Sequence, residues 1–123
     1  MIVAAILVVG ALGQAGCRDR AADVGGVWDG TWKSADGQSE GSFRVDVTQR
    51  GVTLEGPIQL SLEWLPRARI AGTVAGNRVT WGVLQGGVAV LSFEGTITGD
   101  TGAGAYAVGS TAGGTWTARR IAR

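Results

Sequence analysis

From residue 26 onward, apolar and polar side chains alternate with a period of two residues, the pattern of half-buried β-strands. One run of this pattern contains Phe43, Val45 and Val47, and a longer run extends from Val52 to Trp64. A helix does not hold a two-residue period over so long a run. Further alternating runs contain Ile70 to Val74, Val79 to Val83, Leu91 to Ile97, Gly104 to Val108, and Trp116 with Ala118. The pattern therefore predicts eight to ten short strands and no helix in this part of the chain.

Glycine-containing segments separate these runs and predict tight turns. The segments are 75–77, 85–87, 99–102 and 109–114. Inside the longest run, Gly56 and Pro57 predict a kink or break, with two strands rather than one, because proline cannot donate a ladder hydrogen bond. Pro66 is then expected to end the second of these strands.

The two ends of this region resemble each other. Residues 26–33 and 114–120 each place large rings among small or polar residues after a glycine. We expect them to form neighbouring strands that close a barrel, since closure removes exposed sheet edges. The side chains expected to close it are Trp28, Trp32, Trp116, Arg119 and Arg120.

The sequence thus predicts an all-β fold, a small antiparallel up-and-down β-barrel of about eight strands over residues 26–123. A two-layer sandwich is the alternative. A barrel inside an outer membrane is disfavoured, because each charge on a lipid-facing side would cost about 2–4 kcal/mol at the midplane. The outward charges are Arg44, Asp46, Glu55, Glu63 and Arg69.

An uncharged apolar run extends from Ile2 to Leu12. It is shorter than the roughly 20 residues of a membrane span and is typical of a secretory signal. Small residues, Ala15 and Gly16, precede the single cysteine, Cys17. We therefore predict a signal peptide over residues 1–16 and a flexible tether over residues 17–25.

The apolar run followed by Ala15, Gly16 and Cys17 resembles the signal of bacterial lipoproteins. The resemblance implies acyl chains such as palmitate on Cys17 and a lipid anchor in the cell envelope. Arg18 stands where an Asp in that family often retains the protein at the inner membrane, which implies the outer membrane and a position facing the periplasm. Gln14 departs from the usual aliphatic residue, and no basic residue precedes the run. The alternatives are an ordinary leader, which would give a secreted protein, and a retained anchor.

The Gly-x-Trp elements resemble those of lipocalin-like and avidin-like (calycin-type) barrels. In that superfamily, a basic residue of the last strand packs over the tryptophan of the first strand. The resemblance implies that Trp28 or Trp32 is this tryptophan, and that Arg119 or Arg120 is its partner. The chain is shorter than a typical lipocalin and lacks the helix expected after the barrel. The polar residues of an avidin-type biotin site have no clear match here. The resemblance therefore implies a fold and not a ligand.

The composition disfavours several kinds of chemistry. The chain has no His and one Cys among 123 residues, and its net charge is +1. It therefore lacks the usual general base, the commonest metal ligand and a multi-cysteine metal site. No strong field would steer nucleic acid to it. Glu55 and Glu63 share a polar face, but such carboxylates are most often solvated surface. We predict no enzyme activity, no cofactor, no metal and no nucleic-acid partner.

Five tryptophans leave two functional hypotheses open. The first is a binding module for a small apolar ligand, with Trp64, Trp81 and Tyr106 as candidate contacts. The second is a structural or protein-interaction barrel, in the manner of an inhibitor, whose interior is filled and holds no ligand. An eight-stranded barrel has room for either arrangement. The number of bulky residues predicted to point inward favours a filled core. Trp64 lies near a strand end and is expected at a barrel mouth or in an exposed patch.

Overall fold

The computed structural model describes residues 21–123. The predicted signal peptide and the predicted lipidation of Cys17 lie outside this range and stay predictions. Within residues 21–123, no helix is long and apolar enough to cross a bilayer.

Eight strands form one closed barrel in which each strand pairs antiparallel with its neighbours in the sequence. They are β1 (Gly26–Ser34), β2 (Glu40–Arg50), β3 (Thr53–Leu60), β4 (Arg67–Ala75), β5 (Arg78–Gln85), β6 (Val88–Thr98), β7 (Thr101–Val108) and β8 (Thr111–Ala122). The predicted up-and-down barrel is confirmed, and the sandwich alternative is wrong. Alternation in the sequence becomes alternation of buried and exposed side chains, as the burial of β2 at Phe43, Val45 and Val47 illustrates.

The barrel closes between its first and last strands, as the two similar ends of the sequence predict. In the antiparallel pair of β1 with β8, Trp28 lies opposite Arg120 and Trp32 lies opposite Trp116. A register shift follows Val27, at the point where the two strands approach the chain termini. Because the first and last strands pair along most of their length, the described sheet has no open edge.

Five of the seven connections are two-residue turns, and glycine occupies their first position. The φ angle of that glycine is positive, 63° at Gly51 and 61° at Gly76, Gly86, Gly99 and Gly109. A positive φ at the first turn position alone is the type II′ geometry, which matches the twist of the flanking strands. Gly87 also has a positive φ, so the turn at 86–87 has the type I′ pattern. Six of the described glycines thus lie in these hairpin turns, whereas eleven lie within strands.

The predicted break at Gly56 and Pro57 is wrong. One strand, β3, continues through both residues and ends at Leu60. Pairing with β4 is unbroken there, and only the pairing with β2 is interrupted. Gly56 has a φ of 151°, and a side chain on it would collide with the carbonyl oxygen of Asp46. The irregularity therefore lies on the β2 side, while pairing with β4 keeps this part of the chain in the sheet.

Two other boundaries differ from the prediction. The chain leaves the sheet after Leu60, and residues 61–66 form a loop instead of continuing the strand past Trp64. The amide of Leu60 donates to the carbonyl of Pro66 at 2.9 Å, which closes this loop. The glycine-rich stretch 109–114 is a turn only at 109–110, and β8 begins at Thr111. Gly113 lies in β8, where only a hydrogen fits under the Tyr106 ring.

Up-and-down topology gives the barrel two ends with different content. We call the first the terminal end. It contains the turns 51–52, 76–77 and 99–100, the segment 21–25 and the last residues of β8. The second, the loop end, contains the turns 86–87 and 109–110 and the two longer loops 35–39 and 61–66.

Residues 21–25, which we call the strap, cover the terminal end. Val24 is 5% exposed and belongs to the hydrophobic core. Its amide donates to Gln49 Oε1 at 2.6 Å, and its carbonyl accepts from Trp28 Nε1 at 2.9 Å. The amide of Ala22 donates to the carbonyl of Gly76 at 2.7 Å. In place of the flexible tether predicted over 17–25, residues 21–25 are therefore part of the packed barrel.

Candidate functional site

The barrel interior is the first place to look for a ligand site, and it is almost completely filled. One apolar void of about 30 Å³ lies within it, lined by side chains that include Val24, Trp28, Leu54 and Trp116. This volume is a small fraction of the roughly 300–1,000 Å³ of a typical ligand pocket. The described interior therefore has no room for a small organic molecule.

Six aromatic rings account for most of this filling. Trp81 and Phe93 stack with ring centroids 4.0 Å apart, and Trp116 packs edge-on against Trp81 at 5.9 Å. Trp32 lies 6.2 Å from Phe43, which in turn packs against Phe93 at 5.8 Å. Tyr106 completes the set at 5.8 Å from Phe93. The rings contact one another in stacked, tilted or edge-on geometries that favour cohesion of a core.

Glycine makes this dense packing sterically feasible. Gly30 of β1 lies directly beneath the Phe43 ring, and an added Cβ would fall inside that ring. Gly41 of β2 is covered in the same way by the indole of Trp32. The space above these two glycines is thus occupied by neighbouring rings.

The three candidate ligand contacts occupy different environments. Trp81 is buried in the centre of the aromatic cluster. Tyr106 is also buried, and burial raises the pKa of its hydroxyl, with a smaller contribution from the negative charge of Asp36. Tyr106 borders an open depression of about 690 Å³ beside the 35–39 loop. Trp64 lies outside the barrel in the 61–66 loop. The structure therefore does not bring Trp64 and Trp81 together around one cavity.

Trp64 belongs to an exposed apolar set at the loop end. Trp64 is 55% exposed, Val88 is 63% exposed and Val108 is 47% exposed. Each residue lies in or directly beside a connection of that end. Leu65, the neighbour of Trp64, is buried in the core. Its burial fixes the loop to the barrel and leaves the indole of Trp64 facing solvent. We call Trp64, Val88 and Val108 the distal rim.

Trp28 of the first strand and Arg120 of the last strand contact each other, and we call this pair the clasp. The guanidinium carbon of Arg120 lies 4.7 Å from the centroid of the Trp28 ring. This geometry is a cation–π contact, worth about 0.5–2 kcal/mol depending on burial. Arg119 points to the outer surface, and Trp32 packs in the other half of the core. Of the pairings that the sequence leaves open, the structure therefore selects Trp28 with Arg120.

Arg120 also joins the strap to the barrel. Its Nη1 donates to the carbonyl oxygens of Asp23 at 3.0 Å and Gly25 at 2.8 Å. Its Nε donates to Asp100 Oδ1 at 2.8 Å, and its Nη2 donates to the carbonyl of Gly99 at 3.1 Å. The side chain is buried, so these acceptors replace most of its hydration. A single guanidinium thus links β8, the strap and the β6–β7 turn.

Charged groups at the edge of this clasp are paired with each other. Arg123 donates to Asp23 Oδ2 at 2.6 Å and lies 3.6 Å from Asp100. The hydrogen bond from Arg123 lowers the pKa of the Asp23 carboxyl, with a further contribution from the amide of Gly25. Because Asp23 is largely solvent-exposed, this pairing contributes little to stability by itself.

A shallow groove on the outer wall is the feature that sequence reasoning missed. It has a volume of about 950 Å³ and crosses six strands, β6, β7, β8, β1, β2 and β3. Its floor carries hydroxyl groups, including a contact of 3.4 Å between Thr31 and Thr117. Arg44 donates to both oxygens of Asp29 at 2.6 and 3.0 Å, and this lowers the pKa of the Asp29 carboxyl. The inward–outward alternation along each strand predicts that these side chains are exposed. Only the pairing register between strands shows that they are neighbours.

No group of three or more His, Cys, Asp or Glu side chains in residues 21–123 is arranged to hold a metal ion. Glu55 and Glu63, the carboxylates that share a predicted face, lie in β3 and in the following loop. Glu55 is 3.9 Å from Arg50 in an exposed ion pair.

Comparison with known proteins supports the fold. No protein-family profile and no curated protein sequence matches the chain. A redesigned β-barrel is similar in structure, with a TM-score of 0.59, 16% identity, and coverage of 79% of this chain and 90% of that one. A de novo designed fluorescence-activating β-barrel has a TM-score of 0.57, 19% identity, and coverage of 84% and 98%. At this identity the similarity shows the small closed barrel and nothing about a ligand.

Proposed function

We propose that this protein is a lipid-anchored cell-envelope protein whose filled barrel acts as a protein-interaction module. The observation that carries this proposal is the filled interior, whose void of about 30 Å³ is too small for a carried ligand. A binding module for a small apolar molecule needs an enclosed pocket several times larger. Between the two hypotheses open at the sequence level, the structural or protein-interaction barrel has the stronger physical support.

An apolar side chain packs into the core at each end of the barrel, which supports the same proposal. At the terminal end, Val24 of the strap packs into the core. At the loop end, Leu65 does the same from the 61–66 loop. A ligand would have to displace an apolar side chain at either end before it met the aromatic cluster.

The distal rim is the surface best suited to a protein partner. Exposed tryptophan is enriched at the centres of protein interfaces because its ring combines a large apolar area with one hydrogen-bond donor. Trp64 is accompanied by Val88 and Val108 at the same end of the barrel. Trp64 would be the main contact, since Val88 and Val108 lie on other connections of the same end.

The proposed location follows from the lipoprotein-like signal that ends at Cys17. Acylation of Cys17 would anchor the protein in the outer membrane on the periplasmic side, as Arg18 implies. A lipid anchor suits an interaction module because it confines the barrel to one surface and raises its effective concentration for partners there. Without acylation the same barrel would be secreted.

In-cell photo-crosslinking at position 64 tests the proposed interaction. A photoreactive phenylalanine analogue at position 64 is expected to give a discrete protein crosslink after irradiation, because the distal rim contacts the partner. The same analogue at position 52, which is equally exposed at the opposite end, is the matched control. A crosslink to a second copy of the chain would identify the partner as the protein itself. Identical products at positions 64 and 52, or none at position 64, would contradict the proposal.

A further inference from the structure

The strap fixes the place where the chain enters the barrel. The Nε2 of Gln49 donates both to the carbonyl of Ala22 at 3.0 Å and to the carbonyl of Gly51 at 2.9 Å. The amide of Ala22 donates to the carbonyl of Gly76 at 2.7 Å. Ala22 is therefore held between the turns 51–52 and 76–77. The chain thus enters the barrel at this side of the terminal end.

Chain length then limits how far the barrel can be from a lipid on Cys17. Four peptide steps separate Cys17 from Ala21 and span at most about 14 Å when fully extended. Tilted strands of this length give a barrel about 20 Å tall. A lipid on Cys17 would therefore hold the terminal end close to the bilayer and leave the loop end beyond its reach.

The edge formed by these two turns has the composition of an interfacial surface. Val52, at the tip of the first turn, is 51% exposed. Arg50 and Arg78, both exposed, flank the two turns, and Arg50 lies 3.9 Å from Glu55 in an exposed ion pair. Apolar and basic side chains together suit the boundary between lipid headgroups and acyl chains. The nearby carboxylates of Asp23 and Asp100 are engaged by arginines, so their charge is partly compensated.

We infer that the edge formed by turns 51–52 and 76–77 docks on the surface of the bilayer that carries the anchor, so that the distal rim points away from the membrane. This inference rests on the proposed acylation of Cys17. It deepens the proposed function, because it specifies which end of the barrel a periplasmic partner meets. The strap converts an anchor at one residue into a fixed orientation of the whole barrel.

Tryptophan fluorescence in vesicles with brominated phospholipids tests this orientation. The protein is purified with its native acyl chains and reconstituted after Trp64→Phe removes the exposed indole. Val52→Trp and Val108→Trp then place a reporter at opposite ends, at positions with similar exposure. We expect brominated lipid to quench the reporter at position 52 and to leave the reporter at position 108 unchanged. Equal quenching at both positions, or none at position 52, would overturn the inference.

Two further variants separate failure of the orientation from failure of the anchor. Cys17→Ala is expected to abolish acyl labelling and to release the protein from membranes. If Cys17→Ala leaves fractionation unchanged, the anchor itself is wrong. A ten-residue Gly/Ser insertion between residues 20 and 21 should keep the protein on membranes but eliminate quenching at position 52. Persistent quenching at position 52 after this insertion would mean that the strap does not set the orientation.

Discussion

Trp32→Ala is expected to lower the free energy of unfolding by about 3–5 kcal/mol, the range for removing a large aromatic side chain from a core. The Trp32 ring is buried and packs against Phe43 and Tyr106. It also covers Gly41, whose neighbouring backbone cannot fill the space that the ring would leave. Denaturant unfolding followed by circular dichroism measures the loss.

The chain supplies a matched control for this prediction. Trp64→Ala removes the same side chain from a site that is 55% exposed. Its effect on the free energy of unfolding is expected to stay within about 0.5 kcal/mol. A loss below about 1 kcal/mol for Trp32→Ala would contradict the placement of Trp32 in the core.

Arg120→Met is expected to cost about 2–4 kcal/mol of unfolding free energy, because it removes four hydrogen bonds made by a buried guanidinium together with the cation–π contact. The affected acceptors are the carbonyls of Asp23, Gly25 and Gly99. Methionine keeps most of the apolar volume over the Trp28 ring, so the loss reports chiefly on the polar contacts. Hydrogen exchange of the Val24 amide should accelerate in the same variant, since the strap loses its main anchor on β8.

Arg119→Met is the control for this substitution. Arg119 is the preceding residue of β8, but its side chain is exposed on the outer wall. The expected change in unfolding free energy is within about 0.5 kcal/mol, and the Val24 amide should keep its protection. If the two variants were equally stable, Arg120 would not be the residue that holds the barrel ends together.

Strand alternation and hairpin glycines were sufficient to predict the barrel. They are local properties, and each strand of this protein is paired with its neighbour in the sequence. The closing pair was predictable because Trp28 and Trp116 stand in similar local patterns at the two ends. The error at Pro57 has a different origin. Pro57 stays within β3 because β4 pairs with it, and the ladder is interrupted only on the β2 side, where Gly56 and Pro57 have no partner.

The strap and the outer groove depend on contacts that local patterns do not encode. The strap is a short run of small residues without alternation, and its partners Gln49 and Arg120 lie 25 and more positions away. The groove needs the register of six strands, and Thr31 and Thr117 become neighbours only when β1 pairs with β8. The exposure of Trp64 was anticipated from its position near Pro66, although the loop that exposes it was predicted as a strand.

We expect the barrel to carry no ligand, because side chains fill its interior. Native mass spectrometry of the protein purified from its host membranes tests this claim most directly, with the same sample measured again after denaturation. We predict that both spectra give one mass, equal to the mature polypeptide plus its covalent acyl groups. A native mass that exceeds the denatured mass by that of a stoichiometric small molecule would contradict the account.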